Sequence, residues 1–326
     1  VAADFVTTTD GTGVVHTAVM YGEEDYNLGM EVGFPAQHTV GIDGAFVAGT
    51  HHLLDGRYVK DCDSDIIDHL ADQDLLYREH IYTHDYPHCW RTDHPLLYYA
   101  MDSWFVRMTA VRDEIMQYNS EVEWAPEWTG TKRMGEWLSN IKDWAISRER
   151  YWGTPIPVWI CPDCGHEHCI GSIEEMGSMK TDGSPVPPEL HRPYVDDVKL
   201  HCPSSGCSGE MVREPYVMDC WFDSGCASFA QWHYPFENKN KFDGSFPVDY
   251  ICEAVDQTRG WFYSLLAVST AVFESTCYHR CLSLGHILDK EGKKMSKSKG
   301  NVVDSWDHFN KEGADSIRWY MTTQSA

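Results

Sequence analysis

The chain has 326 residues, 42% of them hydrophobic and 13% aromatic, which excludes a disordered polymer and supports one or two sizeable cores. Acidic residues outnumber basic ones 50 to 26, a formal net charge of −24, which excludes a broadly basic nucleic-acid surface and leaves any RNA contact to local basic patches. No apolar run reaches the roughly 18 residues needed to cross a bilayer, and no secretory signal follows Val1, so the expectation is a cytoplasmic protein with no membrane partner.

The stretch from Asp4 to about Gly49 is rich in Gly, Val and Thr and carries turn pairs at Asp10-Gly11 and Asp43-Gly44, which predicts short strands and loops. Between Ser64 and Tyr77, Ile66, Ile67, Leu70, Leu75 and Leu76 recur on one helical face and close this small β-rich lobe. A second region runs from His80 to Trp159. There Trp137, Leu138, Ile141, Trp144 and Ala145 have helical spacing ahead of the Gly-Thr-Pro-Ile-Pro turn at 153–157. A Cys-rich stretch from Cys161 to Cys207 interrupts. Pro215 to Asp223 then reads as a strand running into a loop, and Gly260 to Phe273 as an apolar helix. Strands alternating with helices predict an α/β core, and no repeat or low-complexity tract competes with that reading.

Twelve cysteines in a long chain favour a metal over disulfides when two of them form a CxxC knuckle. Cys161 and Cys164, followed by Gly165, make that knuckle, and Cys202 with Cys207 offers a second pair for a four-cysteine zinc site of structural type. The second pair is spaced CxxxxC, and His166, His168 and Cys169 are competing ligands. The most informative run is Lys293 to Asn301. Four lysines interleaved with serines and closed by glycine suit a loop that grips polyphosphate, and equally suit a solvated basic loop.

The order of residues decides between these. Lys294-Met295-Ser296-Lys297-Ser298 resembles the KMSKS loop of class I aminoacyl-tRNA synthetases, and Asp143 to Pro157 resembles the segment shared by the isoleucine, leucine and valine members. Asp219 to Gly225 and Glu253 to Phe262 resemble the isoleucine branch in particular. The resemblance implies an α/β fold: the second half of a Rossmann-type catalytic domain, with a β-rich editing-domain remnant and a small zinc-binding insertion. Its expected parts are 1–79 (editing), 80–160 (return into the catalytic domain), 161–215 (zinc) and 216–326 (catalytic half with the KMSKS loop).

It also implies roles. Lys294, Met295, Ser296, Lys297 and Ser298 bind ATP with Mg²⁺, and Lys294 and Lys297 neutralise the leaving pyrophosphate. Glu253, Asp256 and Gln257 hold the aminoacyl-adenylate, and Trp221 and Trp261 flank the isoleucine side chain. The segment Gly11 to Tyr26 resembles the later half of the family's editing domain, with His16 and Asp25 in its hydrolytic pocket; Ala18-Val19 stands where the family has Ala-Pro. The implied partners are isoleucine, ATP and tRNA(Ile), with the full-length enzyme a monomer. Nothing in the chain matches the family's HIGH motif, so an internal fragment, inactive alone, is expected. The alternatives are a leucine or valine relative, a zinc-stabilised protein-binding module, and a hydrolase of mischarged tRNA.

Overall fold

The structure is a computed structural model that describes residues 1–9, 11–89, 92–296 and 300–323. Its contacts divide the chain into two units, Val1–Asp102 and Ser103–Ala326.

In the first unit, helix α1 (Glu23–Val32) starts with Glu23, Glu24 and Asp25, charges that the N-terminal end of a helix dipole favours, and stops at Gly33 in the left-handed conformation (φ 75°). Helix α2 (Asp63–Asp72) stops short of the Tyr77 expected from spacing, because Leu75 and Leu76 turn back and donate to the Leu70 carbonyl. The expected β-rich lobe is corrected: among the described residues this unit has isolated bridges at Val40–Phe46, Ala45–Tyr58 and His88–Pro95, and no strand. The Asp43-Gly44 turn forms, with Gly44 at φ 77°, and its second arm meets the 56–59 segment through the Phe46 N–H on the Arg57 carbonyl, but each pairing is a single bridge, too short to make a strand. Asp10 of the other predicted turn lies outside the described residues. Residues 80–102, expected with the second region, join this unit through the Ala100 N–H on the Met20 carbonyl (2.9 Å) and Lys60 over the Tyr86 ring.

Among its described residues the second unit carries, besides two two-stranded pairings, two larger sheets. One is parallel. It is built from β1 (Glu123–Ala125), which follows α3 (Arg112–Ser120), and from two later strands described below. The other is an antiparallel insertion of β2 (Val158–Ile160), β3 (Glu167–Cys169), β4 (Leu200–His201) and β5 (Glu210–Arg213), in the order β3-β2-β5-β4. Helix α4 (Ile173–Met179) packs in the insertion, whose own core is Trp159, Ile170, Met176, Val195, Leu200 and Met211. The Trp159 indole donates to the Val198 carbonyl at 2.8 Å, so this large ring is buried with its polar atom satisfied.

After the insertion, α5 (Cys220–Gly225) leads to β6 (Ile251–Ala254), α6 (Trp261–Phe273) and β7 (Arg280–Leu284), and the parallel sheet runs β6-β7-β1. This βαβ crossover is the α/β core the alternation predicted. Helix α6 is apolar nearly all round, as a helix enclosed by core must be. Phe262 and Leu266 of this helix and Tyr278 beyond its end are fully buried, and the Tyr278 hydroxyl donates to the Phe262 carbonyl at 3.0 Å.

Two local expectations change. The helix expected through Ala145 ends at Ser139, where the Asn140 amide donates to the Glu136 carbonyl; Trp144–Ala145 then pair as a strand with Phe105–Val106. The expected loop at 219–223 is instead the start of α5, capped by Asp219.

Helices α5 and α6 touch through glycine. A Cβ on Gly225 would lie 2.6 Å from the Ser264 carbonyl oxygen, a backbone atom that cannot swing aside. Gly225→Ala should therefore cost about 1–3 kcal/mol by overpacking. Gly177→Ala in α4, whose Cβ would make ordinary contact with Val186 at 3.5 Å, should be neutral or stabilising by up to about 1 kcal/mol. Urea denaturation of the two variants reads the contrast.

Candidate active site and metal centre

The carboxyl ends of adjacent parallel strands are where α/β sheets place ligands. Here β6 ends at Ala254 just beyond Glu253, which is exposed, and β7 ends at Leu284. A single 3₁₀ turn, Val255–Arg259, then presents Asp256 and Gln257. Asp256 has two nitrogen groups close by: His286 Nε2 at 3.9 Å from one oxygen and the Lys294 ammonium at 3.6 Å from the other. Met295 and Ser296 are half-buried, while Lys297 and Ser298 lie outside the described residues. The structure thus brings Asp256 and Lys294 together and adds His286, which the sequence reading passed over. Its place directly after a strand end was the signal available.

Gln257 is used by the backbone: its Oε1 accepts the Trp261 N–H at 3.0 Å and caps α6. The Trp261 indole donates to the Ser224 carbonyl at 3.1 Å. Trp221 is 39% exposed, and its ring tip would lie 2.9 Å from a Cβ on Gly260, so glycine is what lets the indole lie against the turn.

Asp219, the cap of α5, is only 5% exposed. One oxygen accepts the Trp221 N–H at 3.1 Å, and the other takes Arg148 Nη2 at 2.6 Å and the Trp144 indole at 3.2 Å. Its own N–H donates to the Ile146 carbonyl at 2.7 Å. Asp223, one turn along α5, is held above the usual carboxylate range by burial, and the Asp219 charge adds to this while a Thr154 hydrogen bond opposes it.

The Cys161, Cys164, Cys202 and Cys207 sulfurs all lie within 4.8 Å of one another. Two of their separations are 3.7 and 3.6 Å, close to the edge of about 3.8 Å that a tetrahedron with Zn–S near 2.3 Å requires. The first knuckle is closed by the Gly165 N–H on the Cys161 carbonyl, with Gly165 at φ 72°; at the second, the Gly209 N–H donates to the Cys207 sulfur at 3.4 Å. A Cβ on Gly209 would come within 2.8 Å of the Cys161 sulfur. The His166 N–H pulls Cys164 down to about 7, whereas desolvation pushes Cys202 up to about 12: four thiols this close cannot all ionise without a cation. Of the competing ligands, His168 pairs with Glu175 at 3.0 Å.

In the first unit, His16 lines an open cavity of about 680 Å³ with Val15, Thr17, Leu28 and Phe34. Asp25 is engaged elsewhere, accepting the Ala18 N–H at 3.0 Å, and the structure records no contact between His16 and Asp25 among the described residues.

Asp219→Ala would strip the cap from α5 and leave the Arg148 and Trp144 donors without their acceptor. Loss of the cap and of a charge-assisted bond should together cost on the order of 3 kcal/mol, measured as a lower denaturation midpoint at unchanged slope.

The sequence matches the family described as "tRNA synthetases class I (I, L, M and V)" over residues 14–326. Isoleucine–tRNA ligase of Clostridium novyi is 54% identical over 328 residues, covering 100% of this chain and 31% of that protein. The protein of the same name from Bacillus thuringiensis is 51% identical over 326 residues, again covering 100% of this chain and 31% of its own length. The chain thus spans about a third of the length of these curated relatives. Methionyl-tRNA synthetase of Mycobacterium tuberculosis aligns over 72% of this chain and 36% of its own, at 18% identity and a TM-score of 0.45. With the family matched across nearly its whole length, the chain belongs to the class I tRNA synthetases of the isoleucine, leucine, methionine and valine group.

Proposed function

We propose that this chain is the second catalytic half of an isoleucine–tRNA ligase, which joins isoleucine to ATP as isoleucyl-AMP and passes the acyl group to tRNA(Ile). One observation carries the reading: Asp256, His286 and Lys294 gather at the carboxyl ends of two adjacent parallel strands. The identity of half or more to proteins named for isoleucine favours that amino acid over leucine and valine.

In the proposed reaction the isoleucine carboxylate attacks the α-phosphate of ATP, forming a C(=O)O–P bond and releasing Mg²⁺-pyrophosphate. Lys294 and Lys297 offset the negative charge that grows on the leaving group. Glu253, Asp256 and Gln257 would meet the ammonium and ribose, and Trp221 with Trp261 would wall the side chain. An indole slot separates isoleucine from valine by only about 1–3 kcal/mol for one methylene, a general limit for which this amino-acid pair is the standard illustration. A hydrolytic step is thus needed, and His16 and Asp25 are the residues proposed for it. Alone, the chain is expected not to aminoacylate.

The four sulfurs fit a structural zinc, which would pin the two knuckles of the insertion and supply folding energy without taking part in the chemistry. The purified chain should carry one zinc by elemental analysis, and Cys202→Ser should lose most of it and lower the melting temperature.

The adenylate reading is tested by titration calorimetry of this chain joined to the N-terminal part of a relative, with non-hydrolysable isoleucyl-, valyl- and leucyl-adenylate analogues. Selective binding of the isoleucyl analogue is expected. Preference for another analogue would reassign the amino acid, and a folded protein that binds none would point to a zinc-stabilised binding module.

A further inference from the structure

Beyond the lysines themselves, the structure shows how one of them is held. Leu288 and Lys294 face each other in an antiparallel bridge, and the Asp289 N–H donates to the Lys293 carbonyl at 2.9 Å. The turn between them is closed by the Gly292 N–H on the Asp289 carbonyl, with Gly292 at φ 75°. Inside this hairpin Asp289 Oδ1 accepts the N–H groups of Glu291 (2.9 Å) and Lys293 (2.8 Å).

Asn301 reaches back from the far side of the loop. Its Nδ2 donates to Asp289 Oδ2 at 2.7 Å and to the Lys294 carbonyl at 3.2 Å, and its Oδ1 accepts the Ser296 N–H at 2.8 Å. Both amide hydrogens and the amide oxygen are engaged, a pattern that only a side-chain amide can complete. The hydrogen bond from Asn301 and the Lys293 N–H hold Asp289 below the usual carboxylate range, so it is an acceptor throughout neutral pH. Lys294 is fixed at three points: its backbone by Leu288, its carbonyl by Asn301, and its ammonium by Asp256 at 3.6 Å.

We infer that Asn301 and Asp289 form a positioning pair that presets Lys294 for a polyphosphate, an inference that rests on the phosphate-gripping role proposed above. Neither side chain need touch the nucleotide. The pair shifts the entropy cost of ordering the hairpin from ligand binding to folding. A lysine on an unclasped loop would have to be ordered at each binding event.

The test exchanges the partners. Asn301→Asp sets a second carboxylate against Asp289 and removes both donated bonds. The double exchange Asp289→Asn with Asn301→Asp returns one donor and one acceptor to the contact while leaving an oxygen for the Glu291 and Lys293 N–H groups. Each variant of the full chain is titrated with inorganic pyrophosphate in the calorimeter, and tryptic cleavage after Lys293 and Lys294 is timed in parallel. Asn301→Asp should weaken pyrophosphate binding about tenfold, the effect of losing one charge-assisted bond, and speed cleavage several-fold. The double exchange should recover most of both. Lys294→Ala should weaken pyrophosphate while leaving cleavage after Lys293 slow. Equal behaviour of Asn301→Asp and the double exchange, in affinity and cleavage alike, overturns the positioning pair. A wild-type chain that fails to bind pyrophosphate while cleavage follows the exchange overturns the phosphate reading instead and leaves the clasp standing.

Discussion

The site in the second unit depends on a carboxylate that is almost wholly enclosed. A buried charge is costly unless neighbours replace its hydration, and Asp219 finds its replacements on two separate stretches of chain: Arg148 and the Trp144 indole on one, the Trp221 N–H on the other. Because these donors come from both sides of the zinc-type insertion, satisfying Asp219 requires the chain to return to where it left. The short strand pairing of Ser147–Arg148 with Val217–Met218 is the backbone counterpart of that requirement. Trp221 lies against the Gly260 turn on a helix that begins on this carboxylate.

The insertion follows a different logic. Its sheet is too small to bury much, yet Trp159 and Leu200 are fully enclosed and Arg213 is 4% exposed, paired with Asp196. A small core with a costly buried guanidinium gains from an external clamp, and the four convergent sulfurs at its tip supply the place for one. Gly209 belongs to the same design, since the approach of the second knuckle to Cys161 leaves no room for a side chain.

Much of this was legible in the residues, for reasons that differ by element. Helix α6 was readable because its run of mostly apolar residues after Gly260 is too long for a strand and suits a buried helix. The cysteine cluster was readable because knuckle spacing is local, and the Asp256–Lys294 approach because both belong to runs that resemble one family's motifs. What escaped depends on contacts remote in sequence or on competing side-chain bonds. Asn140 breaks the expected helix by bonding Glu136, Asp219 turns an expected loop into a helix start, and His286 becomes notable only once β6 and β7 lie side by side. The short arms around Gly44 read as strands by composition, but a strand needs a ladder to join, and composition does not reveal whether one is there.

The first unit encloses very little: among its described residues Val40 and Cys62 are the buried hydrophobic side chains. The heat-capacity increment of unfolding follows the apolar area that melting exposes. In a calorimeter the signal of this chain will therefore come almost wholly from residues 103–326, and the first hundred will loosen over a broad range of temperature, with amide hydrogens that exchange freely long before the main transition.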